Sequence, residues 1–218
     1  LTVFDYDDDG DLDLFQGNDH QKNFLFRNEG NGKFRDAALE AGVAVNSHGH
    51  PTGSMHGSIG DIDGDGLIDL LVSDLRYGAL YRNLGNGLFE DITEQSGVAA
   101  KFAGKGEWAT ILFDYDNDSD LDLFSANGTA EKLVLQPQLL LENDGKGYFR
   151  NVGKDAAPYF RGKRSGRAAA KIDYDNDGDL DLIVSHIDLK ATATLLQNNG
   201  DNQNHWLGLT LRGPAGQS

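Results

Sequence analysis

The chain has 218 residues, enough for one large domain or two small ones with a real interior, and 19 Lys and Arg against 35 Asp and Glu give a formal charge of −16. Such a charge repels a phosphate backbone, so no nucleic-acid partner is expected, and zero cysteines exclude disulfides, thiolate metal sites and cysteine nucleophiles. No apolar run approaches the ~20 residues of a membrane span, while 28 glycines against 4 prolines announce many tight turns. With neither an initial methionine nor a signal-peptide pattern, the chain reads as a fragment or mature segment.

Leu1–Phe4 reads as a strand entering an acidic run, Asp5–Leu14 (DYDDDGDLDL). A short apolar run closed by polar residues follows (LFQGN), then FLFRNEGNGKFRD (24–36): a strand, Asn28, a glycine-rich turn, Phe34 and another strand. ALEA (38–41) offers one helical turn before Gly42 and Val43. His48, His50 and His56 lie in a Gly-rich connection without a carboxylate and read as solvent-facing.

The same order then returns. Ser54–Gly60 enters Asp61–Leu70 (DIDGDGLIDL), followed by LYRNLGNGLFED (80–91) and TEQS (93–96), a second candidate helical turn. Glu107–Phe113 enters Asp114–Leu123 (DYDNDSDLDL), followed by LLLENDGKGYFRN (139–151). Arg167–Ile172 enters Asp173–Leu182 (DYDNDGDLDL), and the closing block is altered to NNGDNQNHW (198–206). His186 and His205 read as structural, and no nucleophile elbow or triad can be assembled.

The four runs hold 20 of the 35 acids, so the remainder, with 15 acids and 19 bases, is slightly basic. Four to six carboxylates within nine residues repel one another unless a cation offsets them. The DxDxDGxxDL spacing puts aspartates at positions 1, 3 and 5, a reversing glycine at 6, a carbonyl at 7 and a carboxylate at 9. That all-oxygen shell suits Ca²⁺ better than Mg²⁺ or Zn²⁺. Candidate ligands are Asp5, Asp7, Asp9, Asp11 and Asp13 in loop 5–13, and Asp61, Asp63, Asp65, Leu67 and Asp69 in loop 61–69. Loop 114–122 offers Asp114, Asp116, Asp118, Asp120 and Asp122, and loop 173–181 offers Asp173, Asp175, Asp177, Asp179 and Asp181, for about four ions in all. An EF-hand is excluded because position 12 holds Gln16, Val72, Ser125 and Val184 where a bidentate Glu is needed. Ser119 replaces the position-6 glycine in the third loop and is expected to weaken that site.

The first aspartates recur at spacings of 56, 53 and 59 residues, each period holding about four strands joined by tight turns. This predicts an all-β fold of four-stranded antiparallel β-propeller blades with calcium loops. Four such blades barely suffice for closure, so a partial ring with exposed apolar edges is expected.

At these residues the sequence resembles the FG-GAP/VCBS repeat family, whose blades resemble those of integrin α-subunit propellers, over residues 1–201. Residues 202–218, with Asn204-His205-Trp206-Leu207, resemble the start of an ASPIC/UnbV domain. The resemblance implies a Ca²⁺-stabilised, non-enzymatic scaffold for adhesion or protein interaction, at the cell surface, in the periplasm or outside the cell. Its protein or glycan partner is unspecified, and no membrane span is expected within the segment. Two alternatives stay open: a non-catalytic part of a polysaccharide-active enzyme, and a Ca²⁺-dependent lectin using aromatics such as Tyr77, Tyr81 and Trp108. The basic stretch Arg161–Arg167 reads as a solvated loop, or as a contact for an acidic partner or carboxylated glycan.

Overall fold

The computed structural model describes residues 1–75, 78–129, 133–187 and 193–200; Tyr77, His205, Trp206 and the ASPIC/UnbV-like segment 202–218 lie outside the described residues. The first sheet runs β1 (Thr2–Phe4), β2 (Asp13–Gln16), β4 (Phe24–Asn28), β5 (Phe34–Asp36). The second runs β3 (Asp19–Gln21), β6 (Thr52–Gly60), β7 (Asp69–Asp74), β8 (Ala79–Asn83), β9 (Phe89–Asp91). The third contains β10 (Glu107–Phe113), β11 (Asp122–Asn127), β12 (Leu139–Asn143) and β13 (Phe149–Asn151), and the fourth β14 (Gly166–Ile172), β15 (Asp181–His186) and β16 (Ala193–Leu196). Every strand pair is antiparallel.

Two expectations are corrected. The uniform four-stranded blade is broken in the second sheet, where β3 of the first repeat pairs with the start of β6 and makes a fifth strand. TEQS is a turn, not a helix; α2 (Val98–Phe102) starts two residues later. Thr93 Oγ1 accepts the Leu80 N–H, and Ser96 Oγ donates to Thr93 O and accepts the Val98 N–H. The Ser96 hydroxyl thereby takes a carbonyl and an N–H that a helix through this segment would pair. ALEA forms the expected helical turn α1 (Ala38–Ala41), ended by Gly42 at φ 87°.

The alternation of each strand splits its apolar residues between two cores. Phe4, Phe15 and Leu25 meet Leu70, Val72, Tyr81 and Phe89 between sheets one and two. Ile62, Leu71 and Leu80 meet Leu112, Leu123, Leu141 and Phe149 between sheets two and three, and Phe113, Phe124 and Leu140 meet Leu182, Val184 and Leu196 between sheets three and four. Successive first strands are neighbours (β1 and β6, β6 and β10, β10 and β14). The sheets are therefore blades of a β-propeller, forming a partial ring with a hydrophobic core at each internal joint.

Candidate metal centre

Each acidic run folds as the turn between the first and second strands of its blade. The position-1 aspartate caps the loop from inside: Asp5 Oδ1 and Oδ2 accept the N–H groups of Asp9 and Gly10, and Asp114 does the same for Asp118 and Ser119. Position 6 is left-handed in every copy, with φ 90° at Gly10, 89° at Gly66, 80° at Ser119 and 94° at Gly178. Ser119 thus holds a conformation that costs a Cβ-bearing residue about 1–2 kcal/mol. Position 4 is left-handed too, and its occupants Asp8, Gly64, Asn117 and Asn176 are the types that tolerate it. The recurrence of Asp, Gly and Asn at this position is the sequence signal for that backbone conformation.

Positions 1, 3 and 9 converge. In each of the four sets, Asp5–Asp7–Asp13, Asp61–Asp63–Asp69, Asp114–Asp116–Asp122 and Asp173–Asp175–Asp181, one carboxylate oxygen per residue lies within 4.8 Å of the others. Two oxygens on one calcium are at most about 5 Å apart, so the spacing fits that ion. The position-5 residues Asp9, Asp65, Asp118 and Asp177 are exposed and outside these sets; each accepts, through Oδ1, the N–H of position 7 at 2.8–3.0 Å. The side chains of Asp11, Leu67, Asp120 and Asp179 at position 7 also lie outside them. No histidine joins any set among the described residues.

The position-9 aspartate is the buried member, and it has a second task. Asp69 Oδ2 accepts the Ile62 N–H and Oδ1 the Asn83 N–H; Asp13, Asp122 and Asp181 repeat the arrangement with Tyr6 and Asn28, Tyr115 and Asn143, and Tyr174 and Asn198. The asparagine of the N-x-G-x-G block is therefore tied to the loop, a role its sequence position did not disclose. Its side chain also reaches the preceding blade: Nδ2 of Asn83 donates to Tyr6 O, that of Asn143 to Ile62 O and that of Asn198 to Tyr115 O.

Without a cation these carboxyls are out of balance. Burial pushes the Asp69 and Asp122 carboxyls up to about 7 against the pull of their backbone donors. Burial together with Asp118, Asp114 and Glu142 lifts Asp116 to about 6. Oδ1 of Asp7, of Asp63 and of Asp173 is buried and accepts no hydrogen bond. Lone pairs that face like charges and have no donor suit a divalent ion, and they fit Ca²⁺ at these loops. The loops differ in local counter-charge: Arg27 approaches Asp7 at 3.0 Å and Arg82 approaches Asp63 at 3.8 Å, whereas Glu142 stands in that place in the third blade.

The other candidates are settled locally. Tyr81 is buried in the first joint, and the ring of Trp108 is covered by the Arg167 guanidinium at 3.8 Å. Arg164 lies over Tyr159 at 5.3 Å, so two of the basic residues are anchored on aromatics, not free in solution. His186 is buried within reach of the Tyr159 and Thr194 hydroxyls.

The chain is 29% identical over 211 residues to cartilage acidic protein 1 of Mus musculus and of Homo sapiens, covering 92% of this chain and 30% of each relative's length. The Xenopus tropicalis protein of the same name is 29% identical over 206 residues, covering 89% of this chain and 30% of that relative. A solved lectin of Agrocybe aegerita, described as specifically recognising non-reducing terminal N-acetylglucosamine, aligns with 90% of this chain and 51% of its own, at 21% identity and a TM-score of 0.46. The model of the FG-GAP-like repeat matches residues 5–72, 61–125 and 114–184, in register with the loops and strands described above. The chain belongs to the FG-GAP-like repeat family.

Proposed function

We propose that this chain is a calcium-binding propeller segment of an exported or cell-surface protein, and that it acts by binding a protein or glycan partner, not by turnover. The observation that carries the reading is the convergence of three carboxylates in every loop, with a buried, unpartnered oxygen in three of the four sets. Calcium would be held by the aspartates at positions 1, 3 and 9, with the outer oxygen of position 5 and the carbonyl of position 7 as further candidates. The ion neutralises charge at the turn, and the position-9 aspartate and its asparagine pass that order to the preceding blade. A rigid scaffold displayed where calcium is abundant is the use such loops serve best. The name of the relatives, cartilage acidic protein, agrees with an extracellular setting.

Native mass spectrometry of the chain in calcium tests the reading. Four bound ions are expected, with one lost in each of the variants Asp7→Ala, Asp63→Ala, Asp116→Ala and Asp175→Ala. A chain that takes up no calcium would refute it.

A further inference from the structure

Arg27, Arg82, Glu142 and Gln197 each precede the asparagine whose N–H is held by the position-9 aspartate of its loop. That backbone bond fixes where each of these side chains starts, and in three blades its tip meets Oδ2 of the position-3 aspartate. Arg27 Nε lies 3.0 Å from Asp7 Oδ2, Arg82 Nη1 lies 3.8 Å from Asp63 Oδ2, and Gln197 Nε2 donates to Asp175 Oδ2 at 2.7 Å. In the third blade Glu142 is held beside the loop by Tyr115, the residue before Asp116, whose hydroxyl donates to Glu142 Oε2 at 3.2 Å. One register position thus carries a cation in two blades, an anion in the third and a neutral amide in the fourth.

The third blade reaches its anion by reversing a cross-strand pair. Arg82 on β8 stands opposite Glu90 on β9 and donates to it at 2.5 Å. At the same register Glu142 on β12 stands opposite Arg150 on β13, which donates to it. The pair is neutral in both blades but points in opposite senses: its positive end faces the second loop and its negative end faces the third. Pairing across the strands is satisfied either way, so it does not dictate which charge the loop meets.

We infer that the residue before the asparagine sets how tightly its loop takes a divalent cation, arginine weakening the site and glutamate strengthening it. This rests on the calcium reading above and deepens it. A guanidinium beside Asp7 or Asp63 already supplies part of the counter-charge an ion would bring, and it repels that ion as a like charge; Glu142 adds attraction instead. The side chains of Arg27 and Arg82 are 37% exposed, so solvent screening keeps the effect to a modest factor. The first two loops therefore carry a resident cation when calcium is absent, and the third has none at that position.

Calcium titration followed by amide NMR tests it, because the N–H groups of Gly66, Ser119 and Gly178 are bonded to the position-1 aspartates and each reports on its own loop. The exchange Arg82→Glu with Glu90→Arg keeps the net charge and the cross-strand pair, and it should tighten the second site about tenfold. Glu142→Arg with Arg150→Glu should weaken the third site by a similar factor, and Gln197→Arg, which disturbs no ion pair, should weaken the fourth about threefold. These differences should shrink between about 0.05 and about 0.5 M KCl, as a charge effect does and a change of loop shape does not. Affinities indifferent to the substitutions, moved in the opposite direction or insensitive to salt, in a chain that still binds calcium, would overturn this inference alone. A parent chain that takes up no calcium would refute it together with the reading beneath it.

Discussion

Asp69 and Asn83 are joined twice over: the Asn83 N–H donates to Asp69 Oδ1 at 2.7 Å, and Asn83 Nδ2 donates at 3.1 Å to the carbonyl of Ile68, the residue before Asp69. The same Nδ2 reaches Tyr6 O of the first blade at 2.9 Å. A buried carboxylate, a turn and the neighbouring blade thus share one network, whose loss leaves several backbone groups unpaired.

This separates two kinds of loop aspartate. Asp69→Ala orphans the Ile62 and Asn83 N–H groups and should destabilise the chain by about 2–4 kcal/mol even without calcium. Asp65→Ala removes an exposed side chain with one local hydrogen bond and should cost less than about 1 kcal/mol in the metal-free chain. Urea unfolding in EGTA measures both; equal losses would contradict the division of roles.

Calcium should raise stability site by site. At a free concentration 100 times Kd, each bound ion adds about 2.7 kcal/mol. The loops are expected to bind in the extracellular range, about 10⁻⁴ to 10⁻³ M. Differential scanning calorimetry in millimolar calcium and in excess EGTA should show a clear fall in Tm on chelation, and an unmoved midpoint would reject metal-stabilised blades.

Ser119→Gly should stabilise the metal-free chain by about 1 kcal/mol, because serine holds φ 80° where the other three loops have glycine. It should also tighten the third site in a calorimetric calcium titration. A variant no more stable than the parent would show that the loop relaxes around the serine.

Glu107 supplies a pH dependence independent of the loops. It is fully buried at the start of β10, and desolvation, only partly offset by nearby backbone N–H groups, holds its carboxyl at about 9 against 4.5 when exposed. The folded chain therefore keeps a proton that the unfolded chain releases above pH 4.5. Stability from this group is complete at low pH and declines as pH rises toward 9. Glu107→Gln should remove that decline and stabilise the chain at pH 8 by ~1–3 kcal/mol. Urea unfolding of parent and variant from pH 5 to pH 8.5 compares the slopes, and parallel curves would exclude a neutral Glu107.

The repeat was legible in the sequence because calcium-type loops and two-residue strand alternation are local: each depends on residues within about ten positions of one another. Spacing alone placed β10 at Glu107–Phe113 and the loops at their turns. The amino-acid order also shows where negative charge is concentrated, with 20 of the 35 acids in the four loops. Tertiary structure decided what depends on the next blade: that Asp69 is buried under two backbone donors, that Asn83 reaches Tyr6 77 residues away, and that Arg27 stands beside Asp7 where the third blade has Glu142. It also decided exposure: Ile183 and Phe34 are 45% and 46% exposed, whereas their register counterparts Phe124 and Phe89 are buried. Burial is a property of neighbours brought together by folding, and a periodic sequence repeats the same letters whether or not a neighbour is there.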